Sequence, residues 1–400
     1  MNYKKVAFIT EDIFGDSVGG VEQHIFHVAK NIVEFGYEVK VFSLKVGSIN
    51  SRHEEVIHTA QNGCSLIAIR IVRKNIFVKT LELLERKIPG IFGMAVALAG
   101  KLLPNFHSKF LINEINTYSP SIVHQHDYLA NIFASKILSK KYPVIFTNHT
   151  GQYLFLEKNV VTKMLQKKLI SHYKAIIGPS LELTPEDVRA TYITNGVDID
   201  FFSGNKYKNI SNKFTFICPR RWAPTKGVIY LVQAMKLLPE DVREKVVFIF
   251  AGSSSDDYPW YRDEIIDILN TLPKEMFCLL GNLSQDDLKN HFLKSDVVVI
   301  PSLMEATSLA AMEGMAAGLP VLSTNVGGMP DVVVNKDVGW LVNPEDANAL
   351  AEVIKDIANL KYNLHDMGHS AKQFVVRKKS WKKISSKVIK IYENILSKEF

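Results

Sequence analysis

The sequence has few cysteines and no apolar run long enough to span a membrane. Its three cysteines, Cys64, Cys218 and Cys278, are scattered and odd in number. That pattern excludes a zinc-type spacing and a fully paired disulfide framework, and it fits reduced thiols in a reducing compartment. No Sec-type leader precedes the first apolar stretch, since Lys4 and Lys5 lead into only Val6 to Ile9 before Glu11-Asp12, so a cytoplasmic location is expected. The nearly uncharged run from Ile91 to Leu103 falls short of the ~20 residues a span needs, and Pro89 breaks the helix that would have lengthened it. There is no Ser-His-Asp, Cys-His or zinc-water constellation. No Asp-x-Asp element stands in a ligand-facing loop either, because Asp198-Ile199-Asp200 belongs to a boundary segment. No metal or other cofactor is therefore expected.

What is present is apolar content enough for two cores, 47% of 400 residues, so two domains are the expectation. The net charge of +7 is local: between residues 70 and 109, Arg70, Arg73, Lys74, Lys79, Arg86, Lys87, Lys101 and Lys109 face only Glu82 and Glu85. Such a patch could serve nucleic acid or an anionic membrane. Beside it Phe77, Leu81, Leu84 and Ile88 form an apolar stripe, which favours the membrane: an interfacial element inserts apolar side chains while lysine and arginine meet lipid headgroups. Packing of these helices inside the first domain, with an incidental basic face, remains the alternative.

Short β-branched runs alternate with helical spacings along the whole chain. Val6–Ile9, Val39–Phe42, Ser121–His124 and Ala175–Ile177 predict strands in the first half; Phe214–Cys218, Val246–Phe250, Met276–Leu280, Val297–Ile300, Val321–Thr324 and Gly339–Val342 predict them in the second. Helices are predicted from Gly20 to Gly36, over Val228–Leu238, Gln285–Lys294, Leu309–Ala317 and Ala347–Leu360, and at the C-terminus, where Trp381, Ile384, Val388, Ile391 and Ile395 share a stripe. Alternation of this kind implies parallel, doubly wound sheets whose ligand loops lie at the carboxyl ends of the strands.

The loop from Pro301 to Ser308 is central. The amides of Thr307, Ser308 and Leu309 stand at the start of a helix, where unpaired donors attract phosphate. Glu305 precedes that helix and Glu313 lies two turns into it, up to ~12 Å away. That separation is too wide for a glycosidase acid/base pair. It suits contacts to the two ends of a sugar nucleotide. Earlier, Arg221 and Lys226 flank a turn ahead of another helix, a spacing that fits a diphosphate gripped by a bidentate guanidinium and a point charge. His124 and His126 share one face if their strand continues, and His149 repeats the arrangement one unit later. A metal reading of these histidines needs further ligands, and none stands nearby in sequence.

Glu305, seven residues, Glu313, then Ala317-Gly318-Leu319-Pro320-Val321 and Gly327-Gly328-Met329-Pro330-Asp331 resemble the signature of retaining family 4 glycosyltransferases of the GT-B fold, also grouped as glycosyl transferases group 1. The sequence departs from it in Ser308 and Gly314, and in Arg220, where a glycine is usual. The resemblance implies two Rossmann-like, doubly wound α/β domains facing a cleft: residues 1–203, with a terminal helix 378–400 packing back on them, and residues 204–377. It implies that Arg221 and Lys226 clamp the diphosphate, that Glu313 holds the ribose, and that Glu305 holds donor-sugar hydroxyls. By the same resemblance the turn at Leu283 reads the base through its backbone, His126 lies beside the donor sugar, His149 is a second cleft histidine, and Gly19-Gly20 form the family's glycine loop. The expected activity is retaining transfer of a hexosyl or N-acetylhexosaminyl unit from a nucleotide sugar, UDP-linked in preference to GDP-mannose. The acceptor is a glycan or lipid-linked glycan, with no nucleic acid partner. A non-catalytic binding subunit of the same fold, or a transferase with a soluble acceptor, stands as the alternative.

Overall fold

A computed structural model describes residues 4–13, 20–47, 51–59, 65–75, 78, 80, 100–149, 160–205, 213–253 and 258–398. The chain forms two compact units, Met1–Ile193 with Ile384–Phe400, and Thr194–Lys383.

The first unit is built on strands β1 (Lys4–Thr10), β2 (Tyr37–Gly47), β3 (Arg52–Thr59), β4 (Ser65–Lys74), β5 (Ile122–Gln125), β6 (Val144–Thr147), β7 (Ala175–Gly178) and β8 (Ala190–Tyr192). They pair in the order β3-β4-β2-β1-β5-β6-β7-β8. Every pair is parallel except β3 with β4, an antiparallel hairpin at the edge. The strand order reverses at β1, so β1 and β5 diverge toward opposite edges and leave a crevice at their carboxyl ends. Val6, Phe8, Val123, Val144 and Phe146 are fully buried, as a sheet covered on both faces requires.

The terminal helix Trp381–Leu396 buries Ile384, Ser385, Val388 and Tyr392. Tyr392, rather than the expected Ile391, completes the buried face: its hydroxyl meets Nδ1 of His124 at 2.6 Å, while Ile391 is only half-buried.

The second unit carries β9 (Phe214–Cys218), β10 (Val246–Ala251), β11 (Phe277–Gly281), β12 (Val297–Ile300), β13 (Val321–Thr324) and β14 (Gly339–Val342), all parallel, in the order β11-β10-β9-β12-β13-β14. Here the reversal falls at β9 and β12. The helix Leu309–Ala316 packs onto β12 so closely that a Cβ on Gly314 would lie 2.8 Å from Val298 Cγ1, which is why glycine stands there despite its cost to the helix.

The units divide at 193/194, ten residues ahead of the expected 203/204. The cause is local: the Val197 amide donates to the Lys379 carbonyl at 2.8 Å, the Trp381 amide returns a bond to the Val197 carbonyl at 3.3 Å, and Phe202 joins the second unit's core.

Part of the basic surplus is already paired within the first unit. Arg70 bonds Glu54 at 2.7 Å, Lys101 bonds Glu11 at 2.8 Å, and the Arg73 guanidinium lies 3.6 Å over the Phe110 ring. Phe77, Lys79, Leu81, Leu84, Arg86, Lys87 and Ile88 lie outside the described residues. No helix among the described residues is long and apolar enough to cross a membrane.

Candidate active site

In the second unit two loops meet at the reversal of strand order. The loop after β9 makes a single turn at Pro224–Lys226, and Gly227 then takes φ +62°; a Cβ there would sit 1.9 Å from the Pro301 carbonyl oxygen, so only glycine lets the loops touch. The amides of Leu303 and Met304 donate to the Thr225 carbonyl at 2.9 and 3.2 Å, fastening the loop after β12 to the loop after β9. Ser308 caps the helix Leu309–Ala316 by accepting from the Ala311 amide, and the first-turn amides of Leu309 and Ala310 have no carbonyl one turn earlier in the helix to accept them.

A charged cluster fills the junction. One carboxylate oxygen of Glu305 accepts from Arg220 at 2.8 Å, Lys226 at 3.0 Å and Ser302 at 3.1 Å, and the same Arg220 nitrogen donates to Ser308 Oγ. Burial raises the Glu305 carboxyl, but Arg220 and Lys226 together outweigh it and hold it below the ordinary value. Burial and the Arg220 charge lower the Lys226 ammonium by more than Glu305 restores. Burial pushes Glu313 up to about 7, against the pull of Arg220. Near neutral pH the junction thus carries two cations on one ionised carboxylate and a half-titrated second carboxyl. Its surplus is positive, and it stands at a helix N-terminus that also favours anions.

The guanidinium in this cluster is Arg220, whereas the sequence pattern placed Arg221 there. The Trp222 amide is bonded to the Ser253 carbonyl at 3.0 Å and its ring is buried, and this anchoring leaves Arg221 exposed. Lys226, Glu305, Thr307, Ser308, Leu309 and Glu313 are brought to the same end of the sheet. Leu283 stands apart, half-buried in the turn between β11 and the helix Gln285–Lys294.

In the first unit the histidines gather at the crevice of the other sheet. His124, on β5, is satisfied on both ring nitrogens, by Tyr392 at 2.6 Å and by Thr147 at 2.7 Å. His126, one residue beyond β5, is fully buried with Nδ1 lying 3.2 Å from Nε2 of His149, two residues beyond β6. Burial holds both imidazoles well below the usual range, so both are neutral. His24, from the helix Gly20–Glu34, completes the group with its ring centroid 4.5 Å from that of His149. Sequence spacing gave no sign of His24, which lies about a hundred residues from its neighbours. Gly20 opens the same helix; Gly19 lies outside the described residues.

Known proteins share this architecture. Residues 18–201 match the model of Glycosyltransferase Family 4, and residues 202–374 that of Glycosyl transferases group 1. An uncharacterized glycosyltransferase of Methanocaldococcus jannaschii is 24% identical over 97% of this chain and 98% of its own. The phosphatidylinositol N-acetylglucosaminyltransferase gpi3 subunit of Schizosaccharomyces pombe is 23% identical over 97% of this chain and 80% of its own. The Anabaena protein HepE, solved in complex with UDP and glucose, superimposes with a TM-score of 0.71 at 16% identity, covering 97% of this chain and 99% of that one, a likeness of fold. The chain belongs to the family 4 glycosyltransferases, with the GT-B fold.

Proposed function

We propose that the protein is a retaining glycosyltransferase that moves a hexosyl or N-acetylhexosaminyl unit from a nucleoside-diphosphate sugar, UDP-linked in preference to GDP-mannose, to a glycan or lipid-linked acceptor. The observation that carries this reading is the junction of Arg220, Lys226, Glu305 and Ser308 at the N-terminus of the helix Leu309–Ala316. Two partly buried cations aimed at a helix start suit a diphosphate whose negative charge grows as it leaves, and such preorganised charge is the largest single source of catalysis in many enzymes. In this reading Lys226 and Arg220 neutralise the leaving group, with Arg221 turning in from solvent. The helix amides take the terminal phosphate, Glu313 accepts from the ribose hydroxyls, and Glu305 holds the donor sugar. The acceptor oxygen bonds to the anomeric carbon on the face from which the diphosphate departs, and its proton passes to the departing phosphate oxygen. The side-chain cations supply the positive charge, so the transfer itself needs no magnesium.

UDP-N-acetylglucosamine is the first donor to try, given the gpi3 subunit's name and the UDP bound by HepE. A role in cell-surface polysaccharide or glycolipid synthesis, on the inner face of a membrane, follows from pairing that donor with a lipid-linked acceptor and the basic surplus of residues 70–109. Thermal shifts with UDP-N-acetylglucosamine, UDP-glucose, UDP-galactose and GDP-mannose identify the donor, and NMR of the product fixes the anomer. A β-linked product from an α-linked donor would end the retaining assignment.

A further inference from the structure

We propose that His24, His126 and His149 form a binding site for one divalent transition-metal ion of the zinc, cobalt or nickel type. The three imidazoles reach the same point from different elements: the second turn of the helix Gly20–Glu34, the residue after β5, and the loop after β6. One ring nitrogen from each offers a ligand atom, and no two of these lie more than 4.8 Å apart. His126 Nδ1 lies 3.2 Å from His149 Nε2, close to the about 3.3 Å that bonds of about 2.0–2.1 Å in tetrahedral geometry would put between ligand nitrogens. Small rotations of imidazole rings bring in the third.

The neighbouring histidine shows what a merely structural role looks like here. His124 spends both nitrogens on hydroxyl groups of Tyr392 and Thr147 and has nothing left to give an ion. His126 is different: its Nδ1 meets another imidazole, and its Nε2 is buried with no hydrogen-bond partner, an arrangement that leaves polar atoms desolvated without full compensation.

The donor set selects the ion. Three imidazole nitrogens, with no carboxylate in the group among the described residues, suit zinc, cobalt, nickel or copper, whereas magnesium and calcium demand oxygen. The site is therefore independent of any magnesium effect on a diphosphate, and it lies wholly within the first unit. His149 is half-buried, which gives an ion and a fourth, water ligand a way in. A bound ion would cross-link the first helix to the ends of β5 and β6.

Untagged protein stripped with EDTA and titrated with Co²⁺ tests the assignment. The expected result is one equivalent bound per chain, intense visible ligand-field bands of a four-coordinate ion, and a melting temperature that rises with metal concentration. His24→Gln and His149→Gln, each checked for folding by circular dichroism, should weaken binding by more than the roughly 10–100-fold that loss of an outer-shell partner costs. X-ray absorption of the zinc-loaded wild type gives an answer that needs no variant: three imidazoles at about 2.0–2.1 Å support the site, and fewer than three overturn it. Absence of stoichiometric Co²⁺ binding, a weak six-coordinate spectrum, or undiminished binding in both folded variants would overturn it equally.

Discussion

Replacing Glu305 with glutamine removes a negative charge from between two cations while keeping the side chain's volume and one acceptor. The side chains of Arg220 and Glu305 are each 11% exposed and that of Lys226 is 20% exposed, so the three are largely shielded from water together. Removing one partner from such a buried group costs about 3–5 kcal/mol, because the other charges stay buried without compensation. The retained amide oxygen favours the lower end, about 3 kcal/mol. For a unit the length of Thr194–Lys383 that corresponds to a fall of about 6–12 °C in melting temperature. The stability Glu305 contributes is present above the ordinary carboxylate range and disappears as pH falls through its depressed value, so the difference between wild type and variant should shrink in acid. The diphosphate has the opposite preference. Without the carboxylate, Arg220 and Lys226 are free to bind it, so a saturating nucleoside diphosphate at about 100 times Kd should restore at least the roughly 2.7 kcal/mol it gives the wild type. Differential scanning fluorimetry with and without UDP measures both effects. An unchanged melting temperature refutes the buried ion cluster, and loss of the UDP shift refutes the diphosphate site.

Other substitutions separate the remaining roles. The wild type should bind UDP more tightly as pH rises through about 7, and Glu313→Gln should abolish that rise and weaken binding by about 1.5–3 kcal/mol at pH 8, since only the ionised carboxyl accepts from both ribose hydroxyls; calorimetry across that range decides. Lys226→Ala should depress kcat more than it raises KM, and an effect on KM alone would make it a ground-state contact. Gly314→Ala should destabilise by about 1–3 kcal/mol through its clash with Val298, despite alanine's better helix propensity, as chemical denaturation would show. Flotation with anionic vesicles at low salt tests residues 70–109: reversing Lys79, Arg86 and Lys87 to glutamate should release the protein, and indifference to lipid would favour a soluble acceptor.

Much of the second unit was legible because β9, β12, β13 and β14 are short apolar runs largely buried on both faces, and they fall where the sequence predicts strands. The edge strand β3 was not: the polar side chains of Arg52–Thr59 face water, so no apolar run marks it. Helix Leu364–Lys378, half polar around a few buried positions, escaped for the same reason. Residue types at fixed spacing singled out Lys226, Glu305 and Glu313, and the structure places Lys226 beside Glu305 because short loops at strand ends carry local pattern into space. Which of two adjacent arginines points inward depends on how Trp222 is anchored, and that is a tertiary fact. His24 was invisible for a related reason. Spacing rules look for metal ligands close in sequence, whereas a sheet reversal brings together residues far apart.

Release of nucleoside diphosphate from the identified sugar donor, measured with and without a lipid-linked or glycan acceptor in wild type and Lys226→Ala, tests the central claim most directly. Acceptor-dependent release that the substitution sharply reduces is the expected result. Release indifferent to acceptor, or undiminished without Lys226, would contradict it.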